Sequence, residues 1–161
     1  MSDQPGFLLR KLQLSQVWDK DVALLYAVFE IDFKQSLPEY RGKFIIHDSR
    51  KASDGREKGF WHLVTRGGFR DFSGTPDCDR AERLPWIRAI IEHPDAPGIL
   101  NWEFREGTGE LHTYLWLVEF DFVVVLGPLR KSDRGMQLIT AFYVQSEMRR
   151  AELRRKYEAR E

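Results

Sequence analysis

The segment Lys58-Gly-Phe-Trp-His-Leu-Val-Thr-Arg66 places one imidazole, His62, among aromatic and aliphatic neighbours, with a cation at each end. A histidine changes charge near neutral pH, so it can give or take a proton under physiological conditions. Lys58 and Arg66 could hold an anion beside it. Further along, Arg80 and Arg83 fall in a helix-like run, and His112 opens a strand-like one. Thr140 and Tyr143 lie in Leu138-Ile-Thr-Ala-Phe-Tyr-Val144. Proton-moving groups, guanidinium forks matched to phosphate oxygens, and hydroxyls are the parts needed to cleave a phosphodiester through a neighbouring hydroxyl. In RNA a base would take the 2′-OH proton and an acid would protonate the leaving 5′-oxygen. Cations and hydroxyls would hold the phosphorane charge without a metal.

Each residue also has an ordinary role. In a strand, His62 would share a face with Phe60 and Val64, and residue type alone favours a core histidine bonded to a carbonyl. His112 could be a solvated strand end, Arg80 and Arg83 a solvated helix face, and Thr140 a β-branched strand residue. Other chemistries have less support. The histidines His47, His62, His93 and His112 show no HExxH spacing, and the His47-Asp48 dipeptide is a weak signal, so no metal site is assigned. Cys78 stands between Asp77 and Asp79, whose carboxylates oppose thiolate formation. No phosphate-binding loop or dinucleotide fingerprint is present, and no cofactor is implied.

The bulk composition narrows the class. The 161 residues suit a single domain, 1–161, able to bury a core without staples. Hydrophobic residues at 42% and aromatics at 13% mark a globular chain rather than a disordered one. The formal net charge is zero, so a phosphate-binding surface must be a local patch. A single cysteine excludes an internal disulfide framework and fits a reducing, cytoplasmic setting. The N-terminus lacks the apolar core of a signal peptide, and no run approaches a membrane span, so no membrane partner is expected.

The elements that must position these residues follow from periodicity and breakers. Residues 1–14 read as a partly ordered arm. A helix capped by Ser15 runs to about Gln35, with Val22, Leu25, Phe29 and Phe33 at helical spacing, within an N-terminal extension over 15–42. Lys43–His47 reads as a strand, Ala52–Gly55 as a turn, and Glu57–Arg66 as a returning strand, with a helical start as the alternative, ended by Gly67-Gly68. An irregular loop is expected over 69–78. Asp77 or Asp79 caps a helix bearing Leu84, Ile87, Ile90 and Ile91, with Pro85 in its first turn and His93-Pro94 closing it. Four strands follow: Ile99–Arg105, Leu111–Phe120, Phe122–Leu126 and Met136–Val144, the last hairpin turning at Ser132–Gly135. Ser146 caps a charged C-terminal helix, in which Glu147 with Arg150 and Glu152 with Lys156 stand at pairing distances. The class is α+β: helices on one face of a roughly four-stranded antiparallel sheet, plus an N-terminal and a C-terminal helix.

The order of KGFWHLVTR, RAERLPWIRAIIEH, TYLWLVEFDFVVVLGPL and LITAFYV resembles the phage and prophage branch of the barnase–EndoU–colicin–RelE-like (BECR) nucleases, over about residues 43–157. The resemblance implies a compact α+β fold that cleaves RNA without a metal on the open face of its sheet. It puts the family histidine at His62, arginine candidates at Arg80 and Arg83, and a phosphate-contacting hydroxyl at Thr140 with Tyr143 nearby. His112 is added from its chemistry. The catalytic set is then His62, Arg83, Thr140 and His112, with Lys58, Arg66, Arg80 and Tyr143 binding substrate. RNA is the implied partner, with room for an immunity or antitoxin protein. The first helix lies outside the resemblance, where it could cover an edge, bind a partner or form a dimer. Net neutrality departs from a free-standing ribonuclease. A non-catalytic protein- or RNA-binding module of a mobile element is the alternative.

Overall fold

A computed structural model describes residues 4–66 and 75–161. The strand stop expected at Gly67-Gly68, and the loop expected from 69 to 74, lie outside these residues. The arm from residue 4 is extended but docked: Leu8 is buried, and the Trp86 indole donates to Leu9 O at 2.8 Å. Helix α1 (Trp18–Phe29) continues as a π-helical turn, Glu30–Gln35, and buries Val22, Leu25, Phe29 and Phe33 as their spacing demands. It begins at Trp18 because Ser15 does not cap it. Instead the Ser15 N–H and hydroxyl both donate to Asp21 Oδ1, at 2.7 and 2.8 Å.

Strands β1 (Glu39–Tyr40) and β2 (Lys43–Ile46) form a hairpin. The segment expected to return as a strand is helix α2 (Lys58–Val64), followed by a two-residue strand β3 (Thr65–Arg66) that pairs with β4 (Thr75–Pro76). The correction has a packing cause. A strand would put Phe60, His62 and Val64 on one face and split off Trp61 and Leu63. A helix buries Phe60, Trp61, Leu63 and Val64 together and leaves His62 exposed. Asp77 then caps the short helix α3 (Cys78–Ala81), accepting from Arg80 N at 3.1 Å. Pro85 lies in the first turn of α4 (Leu84–Glu92), whose Leu84, Ile87, Ile90 and Ile91 are buried.

The remaining strands, β5 (Ile99–Arg105), β6 (Leu111–Leu117), β7 (Phe122–Leu129) and β8 (Ser132–Tyr143), form an antiparallel meander. This is the expected four-stranded sheet, but it is not the whole one. Among the described residues six strands share a sheet in the order β1-β2-β8-β7-β6-β5, with β2 parallel to β8. The last hairpin turns at Arg130-Lys131, so Ser132–Gly135 is strand rather than loop. Its register slips by one residue between Val125 and Leu126, which makes Ile139 a bulge on β8.

Helices pack on both faces, not one. Phe29, Phe60, Leu63, Ile87 and Ile90 meet Leu115, Phe122, Val124 and Ala141 on the first face. On the other, Trp102, Tyr114, Trp116, Val123 and Phe142 form a second core under α5 (Glu147–Glu158), capped by Ser146. Large apolar residues at the alternate strand positions leave this second face too hydrophobic for water. Leu153 of α5 covers part of it, a burial worth about 1.5–3 kcal/mol. Arg150 pairs with Glu147 as the spacing implies, but Lys156 reaches Glu106 instead of Glu152. No helix among the described residues is long and apolar enough to cross a membrane.

Glu57 ties this framework together. Its side chain is 2% exposed and accepts from Tyr26 Oη at 2.8 Å and Lys51 Nζ at 2.7 Å, with Lys34 Nζ 3.3 Å away. Burial alone would raise its pKa, but these donors outweigh it and hold the carboxyl at about 2. A depressed folded pKa contributes stability above the unfolded value of 4.5 that is lost as pH falls toward 2. Urea titrations should show a loss of order 3 kcal/mol between those limits. In Glu57→Gln that loss should shrink, and stability at neutral pH should drop by about 1–3 kcal/mol. An unchanged acid transition in Glu57→Gln would refute this role.

Candidate functional site

Past Ile46 the chain leaves β8 and turns through His47 and Asp48 toward α2. Lys58 N–H donates to Arg50 O at 2.7 Å and Gly59 N–H to Asp48 O at 2.9 Å, fastening the helix to that turn. The approach is so tight that a Cβ on Gly59 would stand 2.8 Å from Asp48 O and 3.2 Å from His47 Cβ. Gly59 and His62 are three residues apart on one helix face, so His62 sits beside the same segment. A cavity of about 290 Å³ results, lined by His47, Asp48, Arg50, Lys58, His62 and Gln137.

Both imidazoles of this cleft are disposed to be neutral. Solvent reaches His62, yet the cleft walls desolvate its ring and lower its pKa; the charge of Arg80 adds to this and Asp48 partly opposes it. His47 is half-buried, edge-on to Phe29 with ring centroids 4.9 Å apart. Burial lowers its pKa, Glu57 and Asp48 oppose that shift, and Lys34 and Lys51 reinforce it. Its Nδ1 is buried with no hydrogen-bond partner among the described residues. Asp48 is engaged by Arg50 at 2.7 and 2.9 Å, which holds its carboxyl below the usual range. The cleft therefore joins two proton-transfer groups to two cations, Lys58 and Arg50.

The other expected residues are distributed elsewhere. His112 and Thr140 share a cavity of about 340 Å³ on the α5 side of the sheet, with Val125, Ile139, Phe142 and Leu153 as apolar walls. His112 Nε2 lies 2.9 Å from Glu110 Oε1 and its Nδ1 3.5 Å from Glu106 Oε1. Tyr114 Oη donates to Glu106, and Lys156 Nζ donates to Tyr114 Oη at 2.8 Å and to Glu106 Oε2 at 3.0 Å. Burial and Glu106 raise the Tyr114 pKa; the Tyr114 and Lys156 bonds overcome burial to lower that of Glu106. Arg66 and Tyr143 line a third cavity with Asp121 and Arg150.

Two arginines hold the scaffold. Arg80 Nη1 donates to His62 O at 2.7 Å and Thr65 O at 3.0 Å, closing the end of α2. Arg83 is 9% exposed, its guanidinium 4.2 Å from the Tyr143 ring centroid. Its Nη1 donates to Asp79 O at 2.6 Å and Glu82 Oε1 at 2.8 Å. Arg83 lines none of these three cavities, so the structure does not bring it to His62, Thr140 or His112. Sequence reasoning left His47 as part of a weak dipeptide signal and did not single out Arg50. The signal that could have found them is Gly59, a glycine where a helix must lie against a backbone.

Gly59→Ala should cost about 1–3 kcal/mol in urea denaturation, because backbone atoms must move to admit the methyl. Imidazole NMR titrations of the unaltered chain should place His47 and His62 below about 6.5. Both should shift in Gly59→Ala, and a variant with both titrations unchanged would refute the coupling through this contact. No family model matches the chain, and comparison with curated proteins and with solved structures finds no match either.

Proposed function

We propose that the chain is a metal-independent RNA endonuclease whose reacting phosphate lies in the His47–His62 cleft. The observation that carries this reading is the pairing of two imidazoles with Lys58 and Arg50 in one solvent-reached cavity. His62, the more exposed and the one beside Arg80, takes the 2′-OH proton. His47, flanked by Asp48 and Glu57, whose charges favour its cationic form, protonates the 5′-oxygen. The 2′-oxygen attacks phosphorus, the P–O5′ bond breaks, and a 2′,3′-cyclic phosphate is left with a free 5′-hydroxyl. Lys58 and Arg50 stabilise the charge on the phosphorane.

The resemblance to the BECR nucleases supports the same reaction class, and with it a phage- or prophage-type, toxin-like role in the cytoplasm that an immunity protein would restrain. A non-catalytic module would have His62 buried away from any cleft; its exposure in one favours catalysis.

Purified chain should cleave RNA in excess chelator and leave cyclic-phosphate ends. His62→Ala and His47→Ala should each lower kcat/KM by about 10²–10⁴. The base must be neutral and the acid protonated, and both pKa values are depressed. The kcat/KM profile should therefore peak on the acid side of neutrality and fall as His47 loses its proton. Activity abolished by chelator, or intact in His62→Ala, sinks this mechanism.

A further inference from the structure

We propose that the cavity around His112 and Thr140 receives an unpaired nucleobase of the strand whose phosphate lies in the His47–His62 cleft, so that the substrate is single-stranded RNA. This rests on the reading of the cleft given above and adds what the neighbouring cavity would hold.

The two cavities share a wall. Ile139, the bulged residue of β8, lines both. Opposite it, Gly127 presents no side chain: a Cβ there would meet Ile139 Cδ1 at 2.8 Å and Glu110 Oε1 at 3.1 Å. The absent methyl lets Ile139 lean over β7 and form a ridge between cleft and cavity. A group bound in one therefore neighbours a group bound in the other.

The chemistry of the cavity selects its occupant. Beside its aliphatic and aromatic walls it carries hydroxyls, Thr140 among them, the His112 imidazole, and four charged side chains, Glu106, Arg149, Glu152 and Lys156. The charges around it are already matched: Lys156 lies 3.0 Å from Glu106, and Arg149 3.6 Å from Glu152. A second phosphate would break that balance, whereas a neutral heteroaromatic ring leaves it intact. The Arg149 guanidinium lies 4.7 Å from the Phe142 ring centroid, and guanidinium and aromatic planes are both surfaces on which bases stack. A volume of about 340 Å³ is at the small end of ligand cavities and suits one ring system rather than an extended chain. A base held there has left its helix, because the groups that would read its edge cannot reach a paired one.

The test is an amide NMR titration of the full chain with AMP, GMP, CMP and UMP, with ribose 5-phosphate as the base-free control. At least one nucleotide should move the Thr140, His112 and Arg149 signals, while ribose 5-phosphate should move only those of the His47–His62 cleft. Thr140→Trp fills the cavity and should weaken nucleotide affinity about tenfold. Should that variant misfold, the titration of the unaltered chain decides alone. Absence of these shifts with every nucleotide, or equal shifts with ribose 5-phosphate, overturns the inference. A chain inactive as His62→Ala but silent at Thr140 would lose this inference and keep its nuclease reading. Nucleotide-dependent shifts at Thr140 beside full activity in His62→Ala would do the reverse.

Discussion

The packing of α2 against the backbone of His47 and Asp48 is the contact on which the candidate site depends. Only a residue without a side chain permits it, since a Cβ at Gly59 would lie inside van der Waals distance of Asp48 O. Two backbone hydrogen bonds hold the approach. They orient a helix whose Gly59, Phe60, Trp61, Leu63 and Val64 are buried, so His62 is left on the face that Lys58 begins. The same turn carries His47, half-buried against Phe29 of the first helix. One glycine contact thus couples the N-terminal helix, the sheet edge and both imidazoles.

Polar networks reinforce this arrangement where the apolar core ends. Glu57 gathers Tyr26, Lys34 and Lys51 at the start of α2, so the helix that bears His62 is pinned to α1 by charge-assisted bonds. On the other face Glu106, Tyr114 and Lys156 join the β5–β6 turn to α5 in the same manner. Arg150 adds a bidentate pair with Asp121, at 2.7 and 2.5 Å. Leu153 is the one buried residue of α5, so a helix of this polarity stays docked through its ion pairs as much as its apolar contact.

Much of the fold was legible because local rules were obeyed. Ser146 caps the C-terminal helix and Pro85 sits in a first turn, while the helix expected from Asp77 divides into α3, which Asp77 caps, and α4, which has no side-chain cap. The parallel pairing of β2 with β8 was not legible, since a long-range crossover leaves no mark in either short strand. Segment 57–66 was misread because its apolar residues fit two periods. Alternation would group His62 with Phe60 and Val64 and split off Trp61 and Leu63, whereas the helix buries the four apolar residues together, and that burial settled it.

The sequence by itself determined the residue types: an imidazole between aromatics, arginines near a helix start, a hydroxyl on the last strand, and a core large enough to hold them. It also determined the α+β class, through periodicity and breakers. Tertiary structure decided which of these meet. It paired His62 with His47, set His112 with Thr140 across a ridge at Ile139, and spent Arg83 on Tyr143 and its own helix turn. The reason is physical. A side chain's direction follows from the period its segment adopts, and its neighbours follow from backbone contacts between residues far apart in the chain.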